Sequence, residues 1–239
     1  MAEKNFEYFT DKIARKYKEL PELEWGWRFI YGPKETFYRN NRILIIGLNP
    51  GGGQNETRKD TLPTFEKGNA YIFEEWGDAP GNHPLQKQML LLFKSVARKT
   101  NTSHFELINN SFTSNIIPFR SPNFEKLPYK KELISFSTNL WAELLEVLSP
   151  KLIISVGNSP SCSAYSILKG IYSRKGYAVK EKSLSINWGN YKTYISDLKK
   201  GSDKILMIGL PHLTRFKFIG RSQSRKATET IEDIIADNI

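Results

Sequence analysis

The segment Arg42-Ile-Leu-Ile-Ile-Gly-Leu-Asn-Pro-Gly-Gly-Gly53 decides how the rest of the chain is read. Four consecutive aliphatics, Ile43 to Ile46, leave no polar side for water and predict a strand buried on both faces. Pro50 cannot donate to a ladder and is expected to end it. Gly51, Gly52 and Gly53 then allow positive φ and bring bare backbone N–H groups close to whatever binds there. The segment is expected to be an active-site loop if other polar groups collect at the same end of the sheet.

Outward from this segment, helical and strand periods alternate. Residues 4 to 19 place Phe6, Phe9, Ile13 and Tyr17 at three- and four-residue steps among charges, an amphipathic helix on the outside. Trp25, Trp27, Phe29 and Tyr31 follow in a Gly- and Pro-broken segment, either packing that helix or offering rings for nucleobases. Residues 1–40 thus form an N-terminal helix and aromatic-rich extension. The irregular stretch 54–82 has the length of a functional loop. Residues 84 to 98 predict a helix with Leu85, Met89, Leu92, Phe93 and Val96 on one side, and Phe112 to Ile117 a second strand stopped by Pro118. Lys130 to Leu148 read as a helix and Lys151 to Val156 as a third buried strand. Ser159 is expected to cap the next helix, with Pro160 at its first position and its end near Ile171. Tyr177 to Leu198 suggest a hairpin around Trp188-Gly-Asn190, Ile205 to Leu210 a fourth core strand, and Ser222 to Ile235 a closing helix.

This alternation predicts an α/β fold: a three-layer α/β/α sandwich with a central, mainly parallel four-stranded sheet plus an appended hairpin, in a single domain spanning 1–239. Ligands of such folds bind off the carboxyl ends of the strands, where Asn49, Asn115, Ser159 and His212 all fall.

Composition narrows the partner. Lys and Arg number 35 against 25 Asp and Glu, a net charge of +10, and the pI near 9.5 favours a polyanion, with nucleic acid foremost. The charged, amphipathic first residues are not expected to be a signal peptide, and no run of about 18 apolar residues offers a membrane span, so a cytoplasmic or nucleoid-associated protein is expected, neither secreted nor membrane-bound. The lone Cys162 excludes an internal disulfide and a cysteine-ligated iron–sulfur cluster. His83, His104 and His212 lack ligand spacing, so neither a metal nor a cofactor is expected. A monomer is expected.

Gly47-Leu48-Asn49-Pro50-Gly51 resembles the first motif, Gly-x-Asn-Pro-Gly, of the uracil-DNA glycosylase superfamily in its mismatch-specific and single-strand-selective branches. Gly68-Asn-Ala-Tyr71, Ser114-Asn-Ile-Ile-Pro-Phe-Arg120 and Leu210-Pro-His212 are similar to further motifs, in the family's order and over most of the chain. The resemblance implies a monofunctional DNA glycosylase that flips a base out of the helix and hydrolyses its N-glycosidic bond. It implies Asn49 and His212 as catalytic residues, the first positioning water without acting as a base and the second facing the base carbonyl. Gly47, Leu48, Gly51, Tyr71 and Asn115 would bind the base, Asn115 by its two-way amide and Tyr71 as stacking floor, with Phe65, Phe73 and Trp76 as rivals for the floor.

On the DNA side the resemblance implies a phosphate contact by Thr214 and an apolar wedge at Phe216; Ser159, expected at a helix N-terminus, would grip a backbone phosphate, with Arg215, Lys217, Arg221 and Arg225 along the same track. Two prolines of the family's last motif are missing: the chain reads His212-Leu-Thr-Arg-Phe216. Uracil-strict members carry a bulky Tyr where this chain has Gly51. The open wall implies a pocket for 5-substituted pyrimidines as well as uracil, up to the bulky modified bases of phage DNA, which leaves repair or phage defence as alternative settings.

Two other readings follow from the same residues. A catalytically weak or inactive DNA-binding member of the fold would also carry Asn in place of Asp and an altered last motif. A nucleotide-processing enzyme would use the glycine loop for phosphate, but the loop lacks a Gly-Lys-[Ser/Thr] ending and no acidic cluster offers Mg²⁺ ligands.

Overall fold

Ile43, Leu44, Ile45 and Ile46 are all buried, and their side chains divide by parity between two hydrophobic clusters. The computed structural model describes residues 4–40, 43–51 and 61–239; Arg42, Gly52, Gly53 and the first part of the irregular stretch lie outside them. Among the described residues the main elements in chain order are α1 (Phe6–Glu19), β1 (Ile43–Gly47), α2 (Pro84–Thr100), β2 (Phe112–Asn115), α3 (Lys130–Leu148), β3 (Leu152–Val156), α4 (Ala164–Arg174), β4 (Ala178–Ser185), β5 (Lys192–Lys200), β6 (Asp203–Leu210) and α5 (Arg225–Ala236).

The strands form one mostly parallel sheet in the order β2-β1-β3-β6-β5-β4. β1 lies parallel to both β2 and β3, and β3 parallel to β6. β5 and β4 extend the β6 edge as an antiparallel meander, so the predicted hairpin joins the main sheet. A separate two-stranded ladder pairs Trp27–Arg28 with Thr61–Leu62.

Leu44, Ile46, Ile153 and Met207 face one cluster with residues of α1, α3 and α4. Ile43, Ile45, Leu152, Ile154, Leu206 and Ile208 face the other with α2 and α5. Strands covered on both sides must be aliphatic throughout, which is why the parallel strands read as unbroken apolar runs. The crossover from β1 to β2 carries α2, and that from β2 to β3 carries α3 on the opposite face. The chain therefore reverses direction around β1, where open α/β sheets leave a crevice.

Phe6, Phe9 and Ile13 turn α1 inward, and Phe29 meets Phe6 and Phe9 at ring-centroid distances of 5.8 and 6.1 Å. That part of the aromatic segment packs the helix. Three expectations of the sequence change. β2 ends at Asn115 rather than Ile117, because the chain then follows the loop after β1 without regular pairing. Ser159 does not cap α4: Ser163 does, accepting from the Ser166 N–H while the Ser166 hydroxyl takes the Ser163 N–H. Gly51 is absent from the positive-φ glycines, so its use is space rather than a left-handed turn.

Gly209 in β6 lies under the ring of Tyr165 from α4, where an added Cβ would stand 2.6 Å from a ring carbon. Gly209→Ala should lower stability by about 1–3 kcal/mol, read as a reduced midpoint in urea at unchanged slope.

Candidate active site

The carboxyl ends of β1 and β2 stay side by side beyond their ladder. Ile116 N–H donates to Gly47 O (2.9 Å), Ile117 N–H to Leu48 O (2.8 Å), and Ser121 N–H to Pro50 O (3.3 Å). Gly51 completes this with a parallel bridge to Ser121. The first and third sequence motifs therefore lie against each other. Gly47 and Asn115 are register partners, and the Asn115 side chain folds over the glycine so closely that a Cβ there would meet its Oδ1 at 2.1 Å.

Asn49 is half-buried. Its amide NH₂ donates to Ser121 Oγ (3.0 Å) and, at longer range, to Pro50 O (3.3 Å). Ser121 Oγ donates onward to Asn123 O (2.9 Å). With its donors engaged, Asn49 presents Oδ1 as an acceptor, the polarity needed to hold a water. Leu48 turns back into the core.

Tyr71 sits on a single helical turn, Ala70–Phe73, capped by the buried Asn69, whose Oδ1 accepts the Tyr71 N–H and whose amide donates to Ile108 O and Thr113 Oγ1. Its ring is 5 % exposed and meets Trp76 edge-on at 5.2 Å. Trp76, the more exposed ring, also meets Tyr31 at 6.3 Å and His83 at 5.6 Å. Its indole N–H donates to Glu74 Oε2 (2.6 Å), and Glu74 accepts both bonds from the buried Arg28 (2.7 Å each). Phe73, 43 % exposed, lies under Gly68, which holds φ of +121°. The rings beside the motif residues are thus Tyr31, Tyr71 and Trp76.

Tyr31 joins the two halves of the site. Its N–H donates to Thr113 O (2.8 Å), its carbonyl accepts from Ala70 (2.8 Å), and its hydroxyl faces the Asn115 amide. Burial pushes its pKa up to about 12, against the pull of Arg28, whose guanidinium stands over the ring at 4.9 Å. Burial also raises the pKa of Tyr71. Both phenols are neutral at pH 7.

His212 follows β6, its carbonyl accepting from the N–H groups of Arg215 (3.0 Å) and Phe216 (2.9 Å) in a tight turn. The side chain reaches the surface, yet desolvation by the surrounding protein draws its pKa below 6.5, with Arg215 and His83 adding to the effect. His83 caps α2 by accepting the Leu85 N–H at Nδ1 (3.3 Å), and burial lowers its pKa too. Asn115, Tyr31, Trp76 and Tyr71 thus form one contact chain. His83 extends it toward His212, and Asn49 stands on the adjoining loop. Tyr31, Trp76 and His83 belong to this group; the local sequence offers the ring-rich segment as the only sign of Tyr31 and nothing that points to His83.

The predicted DNA contacts fare unevenly. Phe216 is not a wedge: it is 9 % exposed, against Tyr191 (3.8 Å) and Trp188 (6.1 Å) of the hairpin tip. The turn that closes on His212 O tucks it inward. Ser159 is exposed and bonded to Ser161 (3.0 Å), four residues from the actual cap, so it holds no helix N-terminus. Arg215 and Lys217 are exposed and Thr214 is half-buried. Arg221 bonds Asn187 O (3.0 Å), and Arg225 pairs with Glu229 on α5. Among the described residues no group of three His, Cys, Asp or Glu is placed to hold a metal, and no helix is long and apolar enough to cross a membrane. A depression of about 520 Å³ lies at the opposite, amino-terminal end of the parallel strands, lined by Lys151, Asp197 and Lys204 among others, and includes none of the motif residues.

Neither models of known protein families nor functionally characterised proteins match this sequence. The superfamily resemblance rests on the motifs alone.

Two outcomes are expected. Gly47→Ala should displace the Asn115 amide at a cost near the low end of about 1–3 kcal/mol, and Asn115→Ala should remove most of that cost in the double variant, a coupling read by urea unfolding. Secondly, the three histidines all have pKa values below their ordinary 6.5. The unfolded chain therefore binds more protons in mildly acid solution, so stability should be full above about pH 6.5 and decline as the pH falls below it, less steeply in His83→Gln.

Proposed function

We propose that this chain is a monofunctional DNA glycosylase of the uracil-DNA glycosylase superfamily, built as a three-layer α/β/α sandwich around its four parallel strands. It acts on uracil or a 5-substituted pyrimidine and leaves an abasic site. The observation that carries this reading is Asn115 folded onto Gly47 beside the Asn49 loop, with Tyr31, Tyr71 and Trp76 alongside. An amide that can give and accept in one plane, next to aromatic faces, suits the edge and face of one everted base. The partner is DNA, consistent with the net charge of +10.

In the reaction the oxygen of a water held at Asn49 bonds to the anomeric carbon as the N-glycosidic bond breaks. The bonding electrons leave with the base as an anion spread over ring nitrogen and carbonyl oxygen, and the water's proton passes to that base. His212, neutral at pH 7 because of its lowered pKa, hydrogen-bonds the carbonyl as charge gathers there. No cofactor takes part in these steps. Gly51 supports the wider substrate range: a Cβ there would meet nothing within 4 Å among the described residues.

One observation favours a second reading, a DNA-binding member without turnover. Asn49 is an amide whose donors are tied to Ser121 and Pro50, and it cannot take a proton from water.

An abasic-site cleavage assay on single- and double-stranded oligonucleotides with uracil, 5-hydroxymethyluracil or glucosylated hydroxymethylcytosine separates the two. The glycosylase reading expects base release, lowered about 10²–10³-fold in His212→Ala and strongly in Asn49→Ala. It also expects Gly51→Tyr to keep uracil and lose the substituted bases. Tight DNA binding with no base released, unchanged by Asn49→Ala, would establish the second reading instead.

A further inference from the structure

The hairpin between β4 and β5 ends beside the candidate site. Lys192 O and Gly209 O both accept from the Asn158 amide (2.7 and 2.8 Å), which ties the root of the tip to β6 and to the loop after β3. The tip is held on its other side as well. Asn187 donates to Gln223 O (3.0 Å), Arg221 donates to Asn187 O (3.0 Å), and the buried Ser224 hydroxyl bonds Ile186 O. Ile186 is fully buried beneath it. Asn187 and Gly189 take positive φ (53° and 51°) to close the loop, and Tyr191 N–H returns to Trp188 O (3.2 Å).

This braced loop exposes an aromatic ring. Tyr191 is 42 % exposed, and its other side lies on Phe216 at 3.8 Å, directly after the His212 turn. Cations lie on its neighbours: Arg215 stands over Phe216 at 5.4 Å, Arg221 over Trp188 at 4.5 Å, and Lys192 and Lys217, which follow Tyr191 and Phe216 in the chain, are exposed. Among the described residues Arg215 and Lys217 form no ion pair. An exposed ring on a preordered support, with positive charge on the residues beside it, matches a nucleobase stacked on its face with phosphates alongside.

We propose that Tyr191, at the tip of the β4–β5 hairpin, is a stacking platform for a nucleobase of the bound strand next to the site, with Arg215 and Lys217 holding the adjoining phosphates. This rests on the DNA-binding part of the reading above and does not require base release. The tip's tethers mean that little conformational freedom is lost on binding, which is where a rigid aromatic gains over a flexible loop.

Fluorescence anisotropy with a labelled uracil-containing oligonucleotide, single-stranded and duplex, tests it on the full chain. Tyr191→Ala should weaken binding about 5- to 100-fold, with Tyr191→Phe and Tyr191→Trp near the unaltered protein and all thermal midpoints close to one another. Arg215→Ala/Lys217→Ala should weaken binding and flatten its salt dependence. Binding by Tyr191→Ala equal to that of the unaltered protein overturns the platform while leaving the glycosylase reading intact. Weakened binding in Tyr191→Ala with no base release from any substrate upholds the platform and sinks the glycosylase. No DNA binding by the unaltered chain overturns both.

Discussion

The closeness of Asn115 to Gly47 constrains everything at the carboxyl edge of the sheet. Parallel strands set their neighbours about 4.8 Å apart, but a side chain folded across the adjacent backbone needs a residue with no Cβ beneath it. Glycine at 47 meets that need and lets the two chain segments run on together through Ser121. Asn49 owes its place to this continuation, because Ser121, which takes its amide, sits on the β2 side. One close approach therefore positions two amides from distant parts of the sequence.

The aromatic side of the site is braced by charge as well as by backbone bonds. Arg28 and Glu74 form a buried ion pair, and Glu74 also takes the Trp76 indole N–H. Ion pairs out of water are poor sources of stability but good sources of orientation, since their geometry must be nearly ideal to offset desolvation. Here the pair fixes the ring that Tyr31, Tyr71 and His83 all touch. The same guanidinium stands over Tyr31, so the pair braces two of the rings at once.

How much of this was legible follows from how local each signal is. α3 runs from Lys130 to Leu148 as its apolar spacing predicts, and the strands appear where aliphatic runs require burial on both faces. That Asn49, Asn115 and the His212 turn all fall at the carboxyl end of the sheet follows from parallel strands. What failed was decided by competing partners, one nearby and the others distant. Ser159-Pro160 has the look of a helix start, but Ser163 has Ser166 three residues on to complete a capping box, and the helix begins there. Phe216 keeps the spacing of a wedge from His212, yet its burial is decided by Trp188 and Tyr191, some 25 residues earlier in the chain. Tyr31 enters the site through backbone bonds to Thr113 and Ala70, which no local pattern announces.

The proposed chemistry shifts its weight from the water to the leaving base. An amide at position 49 can orient a water but cannot accept its proton, so the nucleophile stays weak and departure of the base must be made easier. Charge developing on the base is met by a neutral histidine donor with Arg215 and His83 close enough to affect its proton. Protonating His212 would place a full positive charge in desolvated surroundings beside Arg215, which oppose it. A neutral donor in a positive field stabilises an emerging anion without first binding a proton, and that arrangement compensates for a missing carboxylate without replacing it.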